Sequence, residues 1–139
     1  MGSVFLLLIP PAILLAFSAL ITFLEAAYFS ADRLALKEIE DPSPGAKTAL
    51  KILEFPERLA LLMLMLNNGT NILYAYTTTL FFVRIARSLP ENWRGPWLVV
   101  GGALTLVFVI VFGEALPKSI ALYQGQKAVV LSSGLLRLL

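Results

Sequence analysis

The chain has 139 residues, 58% of them hydrophobic and only 14% charged, with mean hydropathy +0.82 and a formal net charge of +2. Soluble domains carry about a quarter charged residues, and a chain this short has too little interior to hide so much apolar sequence from water. It has no cysteine and no histidine. That excludes disulfides, thiolate metal sites and histidine acid–base chemistry, and the small net charge gives no argument for nucleic acid as a partner.

The composition suits the lipid bilayer as solvent, and the chain reads as an all-α membrane protein with three transmembrane helices and short juxtamembrane amphipathic helices. Charge-free apolar stretches run over residues 4–24, 59–83 and 95–113. A span needs about 20 such residues, and in lipid a helix satisfies its own backbone. Helices extended past these stretches give spans of about 4–30, 57–84 and 95–122. The first lacks the basic leader of a signal peptide. Pro10 and Pro11 fall in or near its first turn, where a missing N–H costs little. Further along, Ser18, Thr22 and Glu25 are spaced i, i+4, i+7 and share one face, with Ser30 off that stripe. The alternative for each hydroxyl is a bond back to its own helix.

Residues 31–58 hold 11 of the 20 formal charges. The breaker Asp41-Pro42-Ser43-Pro44-Gly45 divides the juxtamembrane segment 31–56 into two short helices at the membrane surface. The second span is interrupted midway by Asn67-Asn68-Gly69-Thr70-Asn71. Asparagine in hydrocarbon is costly without partners, so these residues face a polar interior or bond across helices. A polar connection, 84–94, follows. Trp93 and Trp97 flank the third span as interfacial anchors, and Gly101, Gly102 and Ala103 suit close helix contact.

The third span ends in Phe112-Gly113-Glu114-Ala115-Leu116-Pro117-Lys118-Ser119. Pro117 has no N–H for the carbonyl four residues back, so a helix continuing through the motif frees the Gly113 C=O beside the Glu114 carboxylate and kinks the third helix. The alternative is a kink at the membrane border with a Glu114–Lys118 ion pair. Residues 124–139 read as an interfacial amphipathic helix. Lysine and arginine fall mostly in 31–58 and after Pro117, so the bias places the N-terminus outside and the C-terminus in the cytoplasm.

Hydroxyls, amide oxygens, a backbone carbonyl and a carboxylate form an oxygen-only donor set. Such sets suit hard cations, Mg²⁺, Ca²⁺ or Na⁺, and spacing does not choose among them.

The run Phe112-Gly-Glu-Ala-Leu-Pro-Lys-Ser-Ile-Ala121 resembles the GE-x-x-PK signature of the cyclin M/CorC transmembrane domain. Asn67-Asn68-Gly69-Thr70-Asn71-Ile72 is similar to that family's asparagine motif, and Glu25-Ala-Ala-Tyr-Phe-Ser30 to its SETALFS element. The resemblance implies Mg²⁺ transport or efflux at a multi-pass plasma-membrane protein, with Na⁺ as a candidate coupling ion, in a homodimer of three-helix protomers. It also implies a cytoplasmic CBS-pair region binding Mg-ATP downstream of residue 139. Carried over by position, the ion site draws on Ser18, Thr22, Asn67, Asn71, Gly113 and Glu114, with Glu25, Ser30, Asn68, Pro117 and Lys118 as secondary candidates. Thr22 stands where the family usually has serine, and Leu24 and Leu66 depart from its small residues, so the hydroxyl ligand stays open between Ser18 and Thr22. The alternative function is a non-transporting membrane Mg²⁺ sensor or scaffold; an enzyme is not expected.

Overall fold

A computed structural model describes residues 6–31, 44–124 and 129. Among them every regular element is a helix. A single 3₁₀ turn, Leu6–Leu8, leads into α1 (Ile9–Ser30), with Pro10 and Pro11 in its first turn as their missing N–H groups require. A shorter helix, α2 (Pro44–Leu53), precedes α3 (Pro56–Ala86), and α4 (Glu91–Phe108) follows. The last long helix then passes through a π segment, Val109–Ala115, into α5 (Leu116–Gln124).

Two helical stretches are long and apolar enough to cross a membrane, Leu6–Ser30 and Glu91–Tyr123. Helix α3 has 31 residues, or about 46 Å at the α-helical rise, against roughly 30 Å of hydrocarbon. The asparagines at its middle dilute its apolar character.

The outer surface departs from that of a soluble domain. Ser18, Thr22, Thr70, Thr78 and Thr105 are buried, while Ile72, Met65, Val99 and Leu106 are each more than 60% exposed. Apolar atoms outside and hydroxyls inside is the arrangement that hydrocarbon solvent favours. Thr70, Thr78 and Thr105 each donate to the carbonyl four residues earlier, at 2.7–2.8 Å, which lets a hydroxyl sit in an apolar span.

The hydrophobic core lies toward the C-terminal end of α1. Ile21, Leu24, Ala27 and Tyr28 pack with Leu59 and Met63 of α3 and Ala121 of α5, and Val129 joins them. Helix α2 contributes Ala49 and Leu53 to this core, and Ala46 is buried on the same face. The expected surface helix is therefore docked by its small-residue side. It begins at Pro44, inside the stretch assigned to the breaker, because proline is well suited to a first helical turn. The first expected surface helix and the tail, 125–139 apart from Val129, lie outside the described residues.

The connection between α3 and α4 is tighter than the expected 84–94. Only Arg87–Pro90 lie outside the helices, closed by backbone bonds from Arg87, Ser88 and Leu89 to carbonyls three or four residues back. Above this turn, Trp97 Nε1 donates to the Phe82 carbonyl at 3.2 Å, and the Phe82 ring stands 5.7 Å from that of Trp97. An added Cβ at Gly101 would lie 2.5 Å from the Phe82 ring, whereas at Gly102 nothing lies within 4 Å. Of the two neighbouring glycines only the first is where α3 and α4 touch. Gly101→Ala is expected to lower stability by about 1–3 kcal/mol through overpacking, and Gly102→Ala to leave it nearly unchanged. Thermal unfolding of the two variants in detergent checks this.

Candidate functional site

The α1 stripe meets α3 at its asparagines. Ser18 is fully buried, and its Oγ lies 3.1 Å from Asn67 Oδ1 and 2.7 Å from Asn71 Oδ1. Asn67 and Asn71 are one turn apart, so both amides reach the same point. A hydroxyl carries one proton; here it faces two acceptor oxygens. The Asn71 Nδ2 in turn donates to Glu114 Oε1 at 3.3 Å, which ties the third long helix to the other two. Three helices therefore converge on a cluster in which one hydroxyl proton is shared between two amide oxygens.

The π segment brings Glu114 to this place. Within it the Leu116 N–H donates to the Val111 carbonyl, five residues back. In an α-helix the Pro117 ring would press on the Gly113 carbonyl and give it no donor; widening the helix by one residue per ring relieves that contact. The carbonyl that the π register leaves without a donor is that of Phe112. Phe112 loses its α donor, Leu116, to Val111, and its π donor would be Pro117. The expected interruption at Pro117 thus takes the form of a π segment over Val109–Ala115. Gly113 also makes room. A Cβ there would lie 3.2 Å from Ser18 Oγ and 3.3 Å from Val109 Cγ2, so a side chain would crowd the hydroxyl.

Beside the cluster lies a cavity of about 380 Å³, lined by Thr22, Glu25, Ala26, Phe29, Asn67, Glu114 and Lys118. Thr22 is 5% exposed and its Oγ1 has no hydrogen-bond partner. The other buried threonines are all bonded back to their helix, so Thr22 stands apart. Glu114 accepts from Asn71 and does not close an ion pair with Lys118 one turn on. A second cavity of about 400 Å³, lined by Leu15, Tyr74, Thr78, Phe82 and Phe108 among others, is apolar.

Of the residues singled out in the sequence, Ser18, Asn67, Asn71, Gly113 and Glu114 are brought together, and Thr22, Glu25 and Lys118 face the adjoining cavity. Pro117 is buried and acts through the backbone. Ser30 is not part of the site: it is exposed, and its hydroxyl donates to the Ala27 carbonyl at 3.1 Å. Asn68 is also exposed, turned away from its two neighbours by the helical period. The Phe112 carbonyl was not foreseen. The signal for it, a proline four residues after a glycine, was present, but it does not distinguish a kink from a π turn. Among the described residues no group of three carboxylate, histidine or cysteine side chains forms, so any cation held here would rest mostly on neutral oxygens.

A lipid-facing exterior, and a polar cluster that three long helices share, define a membrane-embedded helical domain with a hydrophilic centre. The family model described as the cyclin M transmembrane N-terminal domain matches residues 11–139, and the chain belongs to that family. A UPF0053 protein of Haemophilus influenzae is 30% identical over 137 residues, covering 98% of this chain. The chain spans 30% of that relative's length.

Because an unsatisfied buried hydroxyl costs about 1–3 kcal/mol, Thr22→Val is expected to raise the stability of the ion-free protein by about 1 kcal/mol. Ser18→Ala, which strands two amide oxygens, is expected to lower it by a similar amount or more. Chemical or thermal unfolding in chelator-treated buffer measures both.

Proposed function

We propose that this chain is the membrane domain of a magnesium transporter or efflux protein, and that the cluster of Ser18, Asn67, Asn71, Gly113 and Glu114 holds the ion in transit. The observation that carries this reading is the acceptor excess at Ser18, where one hydroxyl proton faces two amide oxygens within 3.1 Å. A cation supplies the positive charge such a cluster lacks. The donors are all oxygen, which suits a hard ion, and their mixture of amide, hydroxyl, carbonyl and one carboxylate gives enough positions for the near-octahedral shell of Mg²⁺. The cyclin M membership favours magnesium over the other hard cations.

In this proposal α1, α3 and the α4–α5 helix are three spans of a plasma-membrane protein. The N-terminus is outside and the C-terminus cytoplasmic, following the lysine and arginine bias. Domain 1–139 is one membrane unit. The working form is a homodimer, Na⁺ is the coupling ion, and a downstream CBS-pair region binding Mg-ATP regulates it. No enzymatic step is assigned.

A second reading has one specific support. The bonds from Ser18 to Asn67 and Asn71 join two helices without any ion, as interhelical glue would. On that reading the domain is a non-transporting sensor or scaffold.

The separating experiment titrates the purified protein with Mg²⁺, Ca²⁺ and Na⁺ and follows thermal stability, then measures Mg²⁺ flux in proteoliposomes. An ion that binds only the folded state raises apparent stability with its concentration. The expected outcome is a Mg²⁺-dependent rise that is lost in Glu114→Gln and weakened in Gly113→Ala, with flux lost in parallel. Equal stabilisation of parent and Glu114→Gln would remove the site. Stabilisation without flux in the full-length protein would favour the sensor.

A further inference from the structure

The cavity beside the cluster has a composition that the cluster itself does not explain. Its wall carries two carboxylates, Glu25 and Glu114, against one ammonium, Lys118. Only Glu114 reaches the asparagines. Glu25 is half-buried, and among the described residues its carboxylate has no hydrogen-bond or ion-pair partner. A carboxylate near the end of an apolar helix is costly to hold without a partner. Thr22 adds an independent sign: its Oγ1 is buried and unpartnered, and the residue lines the same cavity. A carboxylate without a protein partner and a residue with an unsatisfied hydroxyl thus stand on successive turns of α1 beside one polar space.

Size then separates the cavity from the cluster. At roughly 30 Å³ per liquid water, about 380 Å³ holds on the order of ten waters, enough for a cation with its octahedral water shell. The cluster has no such room, since even a methyl group at Gly113 would sit 3.2 Å from Ser18 Oγ. Along α1, Glu25 lies about 10 Å beyond Ser18 toward the helix end. A cation moving between that end and the cluster passes Glu25 and Thr22 first, in a space wide enough to keep its water, and reaches Ser18, Asn67 and Asn71 only by giving water up. Mg²⁺ dehydrates reluctantly, so a place to wait while hydrated has a physical purpose.

We infer that this cavity is a station for the hydrated divalent cation, held through its water shell by Glu25 before it exchanges water for the oxygens of the cluster. This rests on the transport reading above and adds a second, outer-sphere site to it. Glu25 is a positioning residue: its carboxylate accepts hydrogen bonds from the ion's waters and does not bond the metal.

The test uses hexaamminecobalt(III), whose ammine ligands do not exchange, so that it imitates a hydrated cation and cannot be stripped. Its binding to the protein in detergent is measured by calorimetry for the parent, Glu25→Gln and Glu114→Gln, alongside Mg²⁺-dependent thermal stabilisation of the same samples. The expected result is saturable binding by the parent, weakened at least tenfold in Glu25→Gln, with the Mg²⁺-dependent stabilisation of Glu25→Gln retained. In proteoliposomes Glu25→Gln then raises the KM for Mg²⁺ more than it lowers the maximal flux. No binding of the complex by the parent, or equal binding by Glu25→Gln, would overturn the station while leaving the cluster untouched. Loss of Mg²⁺ stabilisation in Glu25→Gln as well would make Glu25 part of the inner site and overturn the outer-sphere role. Absent Mg²⁺ stabilisation in the parent, with the complex still bound through Glu25, would sink the transport reading and not the cavity.

Discussion

A single hydroxyl, that of Ser18, sits where three helices meet, and its one proton is shared between two amide oxygens of the neighbouring helix. Two amide oxygens from α3 point at it, and the amide nitrogen of one reaches the carboxylate of Glu114. In water such groups would each find solvent. Inside helices whose outer faces are leucine, isoleucine and phenylalanine they have one another and the adjoining cavity. The cluster is therefore both an adhesive between helices and a concentration of electron-rich oxygen, and the two properties have the same cause.

The backbone serves that cluster in two ways. Pro117 withholds a donor, and the helix answers by widening over Val109–Ala115, where Glu114 stands against Asn71. Gly113 lets the widened segment approach Ser18, since no side chain stands between them. Below this level the core of Ile21, Leu24, Tyr28, Leu59 and Met63 supplies ordinary close packing. The polar centre is thus braced from one end by apolar contacts that do not depend on it.

Polar space in the molecule is graded. The cluster is tight and ordered by direct bonds; the adjoining cavity is wide, with Thr22 and Glu25 on its wall. On the other side of the cluster the space lined by Leu15, Phe82 and Phe108 is apolar. The grading follows the positions along α1 of Leu15, Ser18, Thr22 and Glu25, which run from apolar to hydroxyl to carboxylate toward the helix end.

Much of this was legible in the amino-acid order. Long apolar runs fixed where helices lie, because lipid leaves the backbone no other partner, and α1 and α3 end within a few residues of the expected bounds. Ser18 with Thr22, and Asn67 with Asn71, were placed on common faces by the 3.6-residue period alone. Where that period failed, the sequence reading failed with it. It does not hold across Val109–Ala115, so spacing did not decide whether Glu114 turns to Lys118 or to Asn71. Local periodicity determines which residues share a face of one helix. Only tertiary packing decided which faces meet, that Ser18 and not Thr22 is the hydroxyl between the asparagines, and that Thr22 is left facing a cavity. Those outcomes depend on the rotation and depth of one helix against another, set by contacts between residues some fifty positions apart.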